Sequence, residues 1–261
     1  HCSVRRQRQM CIRDRSDRID TGGIITEVKT GIIGSYYSVQ KKPAGATTKT
    51  DDMDRVTPQN SIGWRAPVSL VGSSRSMVLE PRLQFAYIGG KDRSADIPNR
   101  DSADYRIDEA NLFLLNRYQG YDYLRPGSRA DMGVSAVAND ALVGDVTGFV
   151  GASYRLSGKP SSGLTVNDDD NLSDIVASLG INPDMPFQIN WSGRLASSDL
   201  ELNESRTTVS GKVRKLGYTV EHVQMAKPYF QSAASDLEEM KLSLSYDLPG
   251  GWTASGTQIW D

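Results

Sequence analysis

Cysteine and histidine are nearly absent, with two of each in 261 residues. Cys2, Cys11 and His1 all fall in the first eleven positions, so His222 is the one histidine in the rest. That leaves no basis for a disulfide framework or a redox pair. With His222 alone available, a Ser-His-Asp triad is nearly excluded, and zinc finds few of its usual ligands. No apolar run approaches the roughly 18 residues of a transmembrane helix. There is no glycine-rich loop of the kind that cradles phosphate. The formal net charge is -2, which gives nucleic acid no basic surface to meet. Mean hydropathy is -0.45, a value that reads as soluble on a helix-based scale. A membrane barrel escapes such a scale, because half of every strand is polar.

What is present is alternation. Met77, Leu79, Pro81, Leu83, Phe85 and Tyr87 share one parity. Val78, Glu80, Arg82, Gln84 and Ala86 share the other. Side chains of a strand point to opposite faces in turn, so this stretch has one apolar wall and one mostly polar wall. About 11 residues suits a tilted membrane-spanning strand. Phe187, Ile189, Trp191, Gly193 and Leu195 alternate with Gln188, Asn190, Ser192 and Arg194, the cleanest case in the chain. The same two-faced pattern recurs over Val143 to Leu156, Asp174 to Ile181, Tyr218 to Met225 and Met240 to Leu248. The fold class is all-β: an antiparallel transmembrane β-barrel, partial, with about eleven strands countable. Both ends read as cut, since the chain stops at Trp260-Asp261 within a strand pattern.

The connections sort by length. Gly72 to Ser74, Asn139-Asp140, Pro183-Asp184, Arg214 to Gly217 and Pro249 to Gly251 read as short turns. Lys41 to Pro58, Gly89 to Arg129, Ser157 to Ser173 and Ala226 to Glu238 read as long loops. Short and long mostly alternate, with Asn203 to Ser205 as the exception. Outer-membrane barrels have this asymmetry, with short turns on the periplasmic side. The spacing places Asn139-Asp140, Pro183-Asp184 and Pro249 to Gly251 on one rim and the longest loops on the other. Pro67 and Pro81 each lose a ladder donor, so bulges or kinks are expected there. Trp64, Tyr87, Tyr154, Trp252 and Trp260 are candidates for interfacial girdles, or are plain packing aromatics.

Residues 1 to 15 read differently. HCSVRRQRQMCIRDR is strongly basic, has no apolar period and joins abruptly to the rest of the chain. It lacks the apolar core of a signal peptide. The division is a foreign segment at 1-15 and the partial barrel at 16-261. The first segment is expected to make no strand pairing.

An ordered set of short motifs carries a family resemblance. LEPRLQF is followed by Asp101-Ser102, then Asn111-Leu112-Phe113, then Gly120-Tyr121-Asp122, then Arg129 before the next strand. With Pro81 in the first piece, this order over about fifty residues resembles the C-terminal barrel of the LPS-assembly protein family LptD. SYRLSG at 153 to 158 and SDIVASLG at 173 to 180 continue it. The resemblance implies an outer-membrane translocon that inserts lipopolysaccharide into the outer leaflet. It implies a plug lipoprotein, LptE, and periplasmic Lpt bridge proteins as partners. The inter-domain disulfides of that family would use cysteines outside these residues. A passive porin or gated receptor barrel would show the same alternation without the motif order.

The candidate substrate path is the polar wall: Glu80, Arg82, Gln84, Gln188, Asn190 and Arg194. Such a lining can guide the charged head of an amphiphile, yet any water-filled barrel has one. No catalytic residue, cofactor or metal is expected. The acidic runs Asp51-Asp52-Met53-Asp54 and Asp168-Asp169-Asp170 could hold a hard cation, but solvated loops explain them more simply. His222 shares the parity of Tyr218 and Val220, which suits a packing role.

Overall fold

The computed structural model describes residues 3–42, 49–73, 75–92, 96–97, 106–117, 120–122, 124, 126–140, 144–158, 171–183, 185–226 and 236–261. Among these residues thirteen strands form one sheet. They are β1 (Ser3–Thr21), β2 (Ile24–Lys42), β3 (Lys49–Arg65), β4 (Val68–Val71), β5 (Arg75–Ile88), β6 (Gly127–Asp140) and β7 (Gly144–Gly158). After them come β8 (Ile175–Asn182), β9 (Phe187–Leu195), β10 (Leu202–Val213), β11 (Leu216–Met225), β12 (Leu237–Asp247) and β13 (Thr253–Trp260). Each strand pairs antiparallel with its sequence neighbours, except that β4 joins β3 in lining the same edge of β5. The sheet is open, with β1 and β13 at its edges. No described helix is long and apolar enough to cross a membrane.

Register carries the alternation from strand to strand. Ile181 opposes Ile189, and Leu179 opposes Trp191. Ile189 in turn opposes Val209. Val220 opposes Leu242, and Tyr218 opposes Leu244. Because the side-chain period is two, this register stacks every apolar row on one face. The other face stacks Gln84 beside Asp131, and Asp131 beside Ser153.

Burial is inverted relative to a water-soluble sheet. Val150, Leu156, Tyr87 and Phe85 are each 40–53% exposed. Arg55, Gln84, Asp131 and Arg194 are each 7% exposed or less. A soluble protein buries the first group and exposes the second. A barrel wall does the reverse, with hydrocarbon against the apolar face and lumen on the polar one. The apolar face is therefore the outer one, and the polar face the inner.

The short turns all fall on one rim: Gly22-Gly23, the residues between β6 and β7, those between β8 and β9, Arg214-Lys215, and Pro249–Gly251. The C-terminal ends of β2, β5, β7, β9 and β11 fall on the other. Asn139 and Asp140, expected as a turn, still belong to β6 and pair with Asp145 and Gly144. Asn203 to Ser205 is not a connection. β9 ends at Leu195 and β10 begins at Leu202, so the link is residues 196–201 and it lies on the long-loop rim. Leu200, with φ 62°, marks it.

Two further expectations are corrected. Within Lys41 to Pro58, residues 41–42 and 49–58 are strand, because β2 and β3 pair in unbroken register from Ile25 opposite Arg65 to Lys41 opposite Lys49. Asp51 to Asp54 therefore lie in β3, and Asp168 to Asp170 lie outside the described residues. Pro67 and Pro81 cause no bulge. Arg65 opposes Arg82 and Val68 opposes Leu79, so the count of residues across the gap is equal on both strands. The ladder is interrupted without being shifted, and Ala66 N–H still donates to Pro81 O at 3.2 Å. Trp64 stands near the end of β3, one residue before Arg65, and β4 resumes past Pro67 on the same edge of β5.

Residues 3–15 also depart from expectation, because they do pair. β1 runs in continuous register along β2, with Ile12 opposite Ile33 and Arg15 opposite Thr30. The reason is that ladder hydrogen bonds join backbone groups and are blind to side chains. The edge of β2 accepts any extended chain.

Candidate functional site

The connection between β5 and β6 returns onto the inner face of the sheet. Its described part forms one tight turn at Asp108 to Asn111. Asn111 N–H donates to Asp108 Oδ1 at 2.8 Å, and Asp108 N–H donates to Asn111 Oδ1 at 3.0 Å. Leu112 N–H closes the turn on Asp108 O at 3.0 Å. These reciprocal caps present Leu112 to the sheet. Leu112 is fully buried against Ile107, Phe149 and Val176. Phe113 meets Phe149 edge-on, with ring centroids 6.5 Å apart. The Arg82 guanidinium lies over the Phe113 ring at 4.8 Å, a cation–π contact. Gly151 makes this docking possible. A Cβ there would stand 2.6 Å from Leu112 Cδ2 and 2.8 Å from Phe149 Cζ.

Beneath the turn sits a buried charge cluster. Asp131 on β6 is fully buried and pairs with Arg117 of the inserted segment. It also accepts from Arg129 Nε at 3.1 Å, Gln84 Nε2 at 3.1 Å and Ser153 Oγ at 2.7 Å. The arginines reach on to the segment's own carbonyls. Arg117 donates to Leu112 O at 2.6 Å, and Arg129 donates to Leu114 O and to Leu115 O, the latter at 3.1 Å. Gln84 donates to Phe113 O at 3.1 Å. One carboxylate thus ties two guanidiniums, and these with Gln84 bond four carbonyls of the segment, of which that of Leu112 belongs to a fully buried residue.

Two more anchors flank it. On β3, Arg55 donates to Tyr121 O, to Asp122 O at 2.8 Å and to Tyr37 Oη at 2.8 Å. On β10, Glu204 pairs with Arg106 of the segment at 3.2 Å and with Arg194 of β9 at 2.9 Å. Glu109 of the segment accepts from Ser178 of β8. The segment is therefore fastened from β3 to β10 across the inner face.

The motif residues gather here. Leu112, Phe113, Asn111, Gly120, Asp122 and Arg129 belong to the segment or its clamp. Gly120 adopts φ +93°, a conformation that suits glycine. Pro81 stands apart, on the outer face opposite Val134. Asp101 and Ser102 lie outside the described residues. Of the polar-wall candidates, Gln84, Arg82 and Arg194 join the clamp. Glu80 faces Arg82 at 3.5 Å and Arg65 at 3.9 Å. Gln188 and Asn190 are exposed on the inner face, away from the segment, with Gln188 donating to Ser210 Oγ at 3.0 Å. His222 sits on the outer face and shares a 3.0 Å contact with Glu238.

Sequence reading missed Asp131, Arg117, Arg55 and Glu204. Asp131 with Arg129, and Glu204 with Arg194, were readable as opposite charges on polar parities, while Arg117 and Arg55 left no such signal. Only the register showed which would meet. Among the described residues there is no cluster of ligating side chains able to hold a metal.

An apolar outer wall, a polar inner face and an inward-folded segment latched by buried charge define the wall of an outer-membrane β-barrel. Comparison gives the family. Residues 19–252 match the family model LptD, described as LPS transport system D, and the chain belongs to that family. The LPS-assembly protein LptD of Escherichia coli (strain K12) is 28% identical over 166 residues, covering 59% of this chain and 21% of that protein. The Shigella flexneri serotype 5b protein of the same name is 30% identical over the same shares. That of Shewanella denitrificans is 29% identical over 124 residues, covering 46% of this chain and 15% of its own. The match to the Escherichia coli protein thus spans about a fifth of that relative's length. The chain is an outer-membrane protein of β-barrel type.

Proposed function

We propose that this chain forms part of a translocon that inserts lipopolysaccharide into the outer leaflet of the outer membrane. The observation that carries the reading is the family match over residues 19–252. The inner face adds a physical rationale. Gln188, Asn190, Ser210 and Lys212 offer hydrated polar groups beside a wall that is apolar outside. A head group can follow the first while acyl chains stay near the second. The plug lipoprotein LptE would occupy the lumen, and the periplasmic Lpt bridge proteins would deliver substrate. No covalent step is assigned to the barrel. A passive pore is the weaker reading, because the inserted segment covers the inner face from β3 to β10.

The test is replacement. The matching segment of the Escherichia coli protein is exchanged for residues 19–252, and the native copy is depleted. Growth and surface lipopolysaccharide are expected to persist. A photoreactive residue at Asn190 should crosslink lipopolysaccharide several-fold more than one at Ile189. A chimera that assembles in the outer membrane yet leaves lipopolysaccharide on the inner side would refute the proposal.

A further inference from the structure

Of the short turns, one is cationic. Gly22-Gly23, Gly72 to Ser74, residues 141–143, residues 183–186 and Pro249–Gly251 contain no lysine or arginine. The turn between β10 and β11 is Arg214-Lys215. Its strands close tightly, since Val213 pairs with Leu216 on either side of it. A two-residue hairpin turn needs a left-handed conformation at its first position. Arg214 adopts it, with φ 56°. Glycine or asparagine would do so at lower cost. A charged residue held in a strained conformation points to a use for its charge.

Both side chains are exposed, and among the described residues neither makes an ion pair. Asp247 of β12 does not serve them, because its carboxylate accepts from Lys212 at 2.6 Å and from Thr253 at 3.3 Å. Asp247 N–H donates to Lys215 O at 3.0 Å, which ties the turn to β12 and fixes its place on the rim. The outer wall ends beside it. Val213 and Leu216 share the outer parity and are 49% and 43% exposed. Tyr246 opposes Leu216 on the same face and is 46% exposed. Exposed aliphatic side chains, a tyrosine and two cations at the tip make the composition of a membrane interface.

We infer that Arg214 and Lys215 bind the phosphate of a net-anionic lipid head group in the leaflet beside the short turns. Three features select this partner. The two charges are adjacent and unpaired, so the partner must be anionic. They stand at the edge of the lipid-facing wall, so the negative charge must lie next to hydrocarbon. Val213 and Leu216 flank them with exposed apolar surface, which lipid covers and an acidic protein surface would leave wet. A zwitterionic head group fits less well, because its own ammonium group offsets its phosphate. The inference rests on the lipid-facing wall and not on the transport reading.

The probe is vesicles of phosphatidylglycerol and phosphatidylcholine in equal amounts, with matched acyl chains. The chain is folded into them and extracted in mild detergent, and the lipids that stay on it are counted by native mass spectrometry. Heat-modifiable gel mobility checks folding. Phosphatidylglycerol should be retained over phosphatidylcholine by at least about fivefold, the effect of one such cation at an anionic surface. The excess should shrink at high salt. Arg214→Gly combined with Lys215→Ser should bring the two lipids to equal retention. Glycine relaxes the turn, so this variant should fold at least as well as the parent. Lys241→Gln removes a cation from the inner face, opposite Glu221, and should leave the preference unchanged. Equal retention by the folded parent, an unchanged preference in the folded double variant, or release of the lipid by millimolar glycerol phosphate would overturn the inference. A parent that never folds into the vesicles would overturn it together with the lipid-facing wall.

Discussion

β1 and β9 are both paired along their whole length, yet only β9 has two faces. On β9 the outer row is Phe187, Ile189, Trp191, Gly193 and Leu195, and the inner row is Gln188, Asn190, Ser192 and Arg194. On β1 the outer row from residue 9 onward reads Gln9, Cys11, Arg13, Arg15, Asp17 and Ile19, beside Tyr36, Gly34, Ile32, Thr30, Val28 and Thr26 of β2. Arg15 and Asp17 pair with each other at 2.9 Å on that surface. Hydrogen bonding alone therefore does not make a membrane strand. A lipid-facing arginine at mid-bilayer costs roughly 2–4 kcal/mol, and β1 carries two on that side. The family match begins at residue 19, where the charged row ends. We propose that residues 1–15 are foreign to the barrel and that their pairing follows the open edge of β2.

The largest effect that would break this comparison lies on β9. Ile189→Arg should abolish folding into lipid vesicles, while Asn190→Arg should fold with nearly the parent yield. Equal yields would erase the difference between the two faces. Next comes the clamp. Asp131→Asn leaves Arg117 buried beside a neutral partner. Breaking a buried pair costs on the order of 3–5 kcal/mol, so the inserted segment should become protease-sensitive while the strands persist. Unchanged proteolysis across 106–122 would show that the charge cluster does not hold the segment. Leu112→Ala should act in the same direction, by roughly 2–5 kcal/mol, through the lost contact with Phe149 and Val176. The smallest effect belongs to β1. Removing residues 1–15 should change folding yield into vesicles little, and a severe loss would make β1 part of the wall.

Much of the wall was legible in the sequence. Parity on Met77 to Tyr87 and Phe187 to Leu195 gives both faces, and short turns mark one rim. The inserted segment was legible as a long loop carrying the motif pieces Asn111-Leu112-Phe113 and Gly120-Tyr121-Asp122, and its return onto the inner face was not. Nor was its clamp, because Asp131 meets Arg117 and Ser153 through register and chain return, which no local pattern encodes. The β1 pairing was misjudged for a related reason. Composition predicts which side chains lipid accepts, whereas an exposed strand edge accepts any backbone. The prolines show the opposite error: Pro81 removes one donor toward Ala66, and the flanking register on both sides keeps the residue count equal without a bulge.

The central claim is that one face of this sheet meets lipid and the other water. It is tested most directly by labelling positions 188 to 194 one at a time with a fluorophore on cysteine, after Cys2 and Cys11 are replaced by serine. The chain is folded into vesicles containing brominated lipid, with iodide added outside. Positions 189, 191 and 193 should be quenched by bromine and spared by iodide, and positions 188, 190, 192 and 194 should show the reverse. Quenching without a period of two along these seven residues would contradict the account.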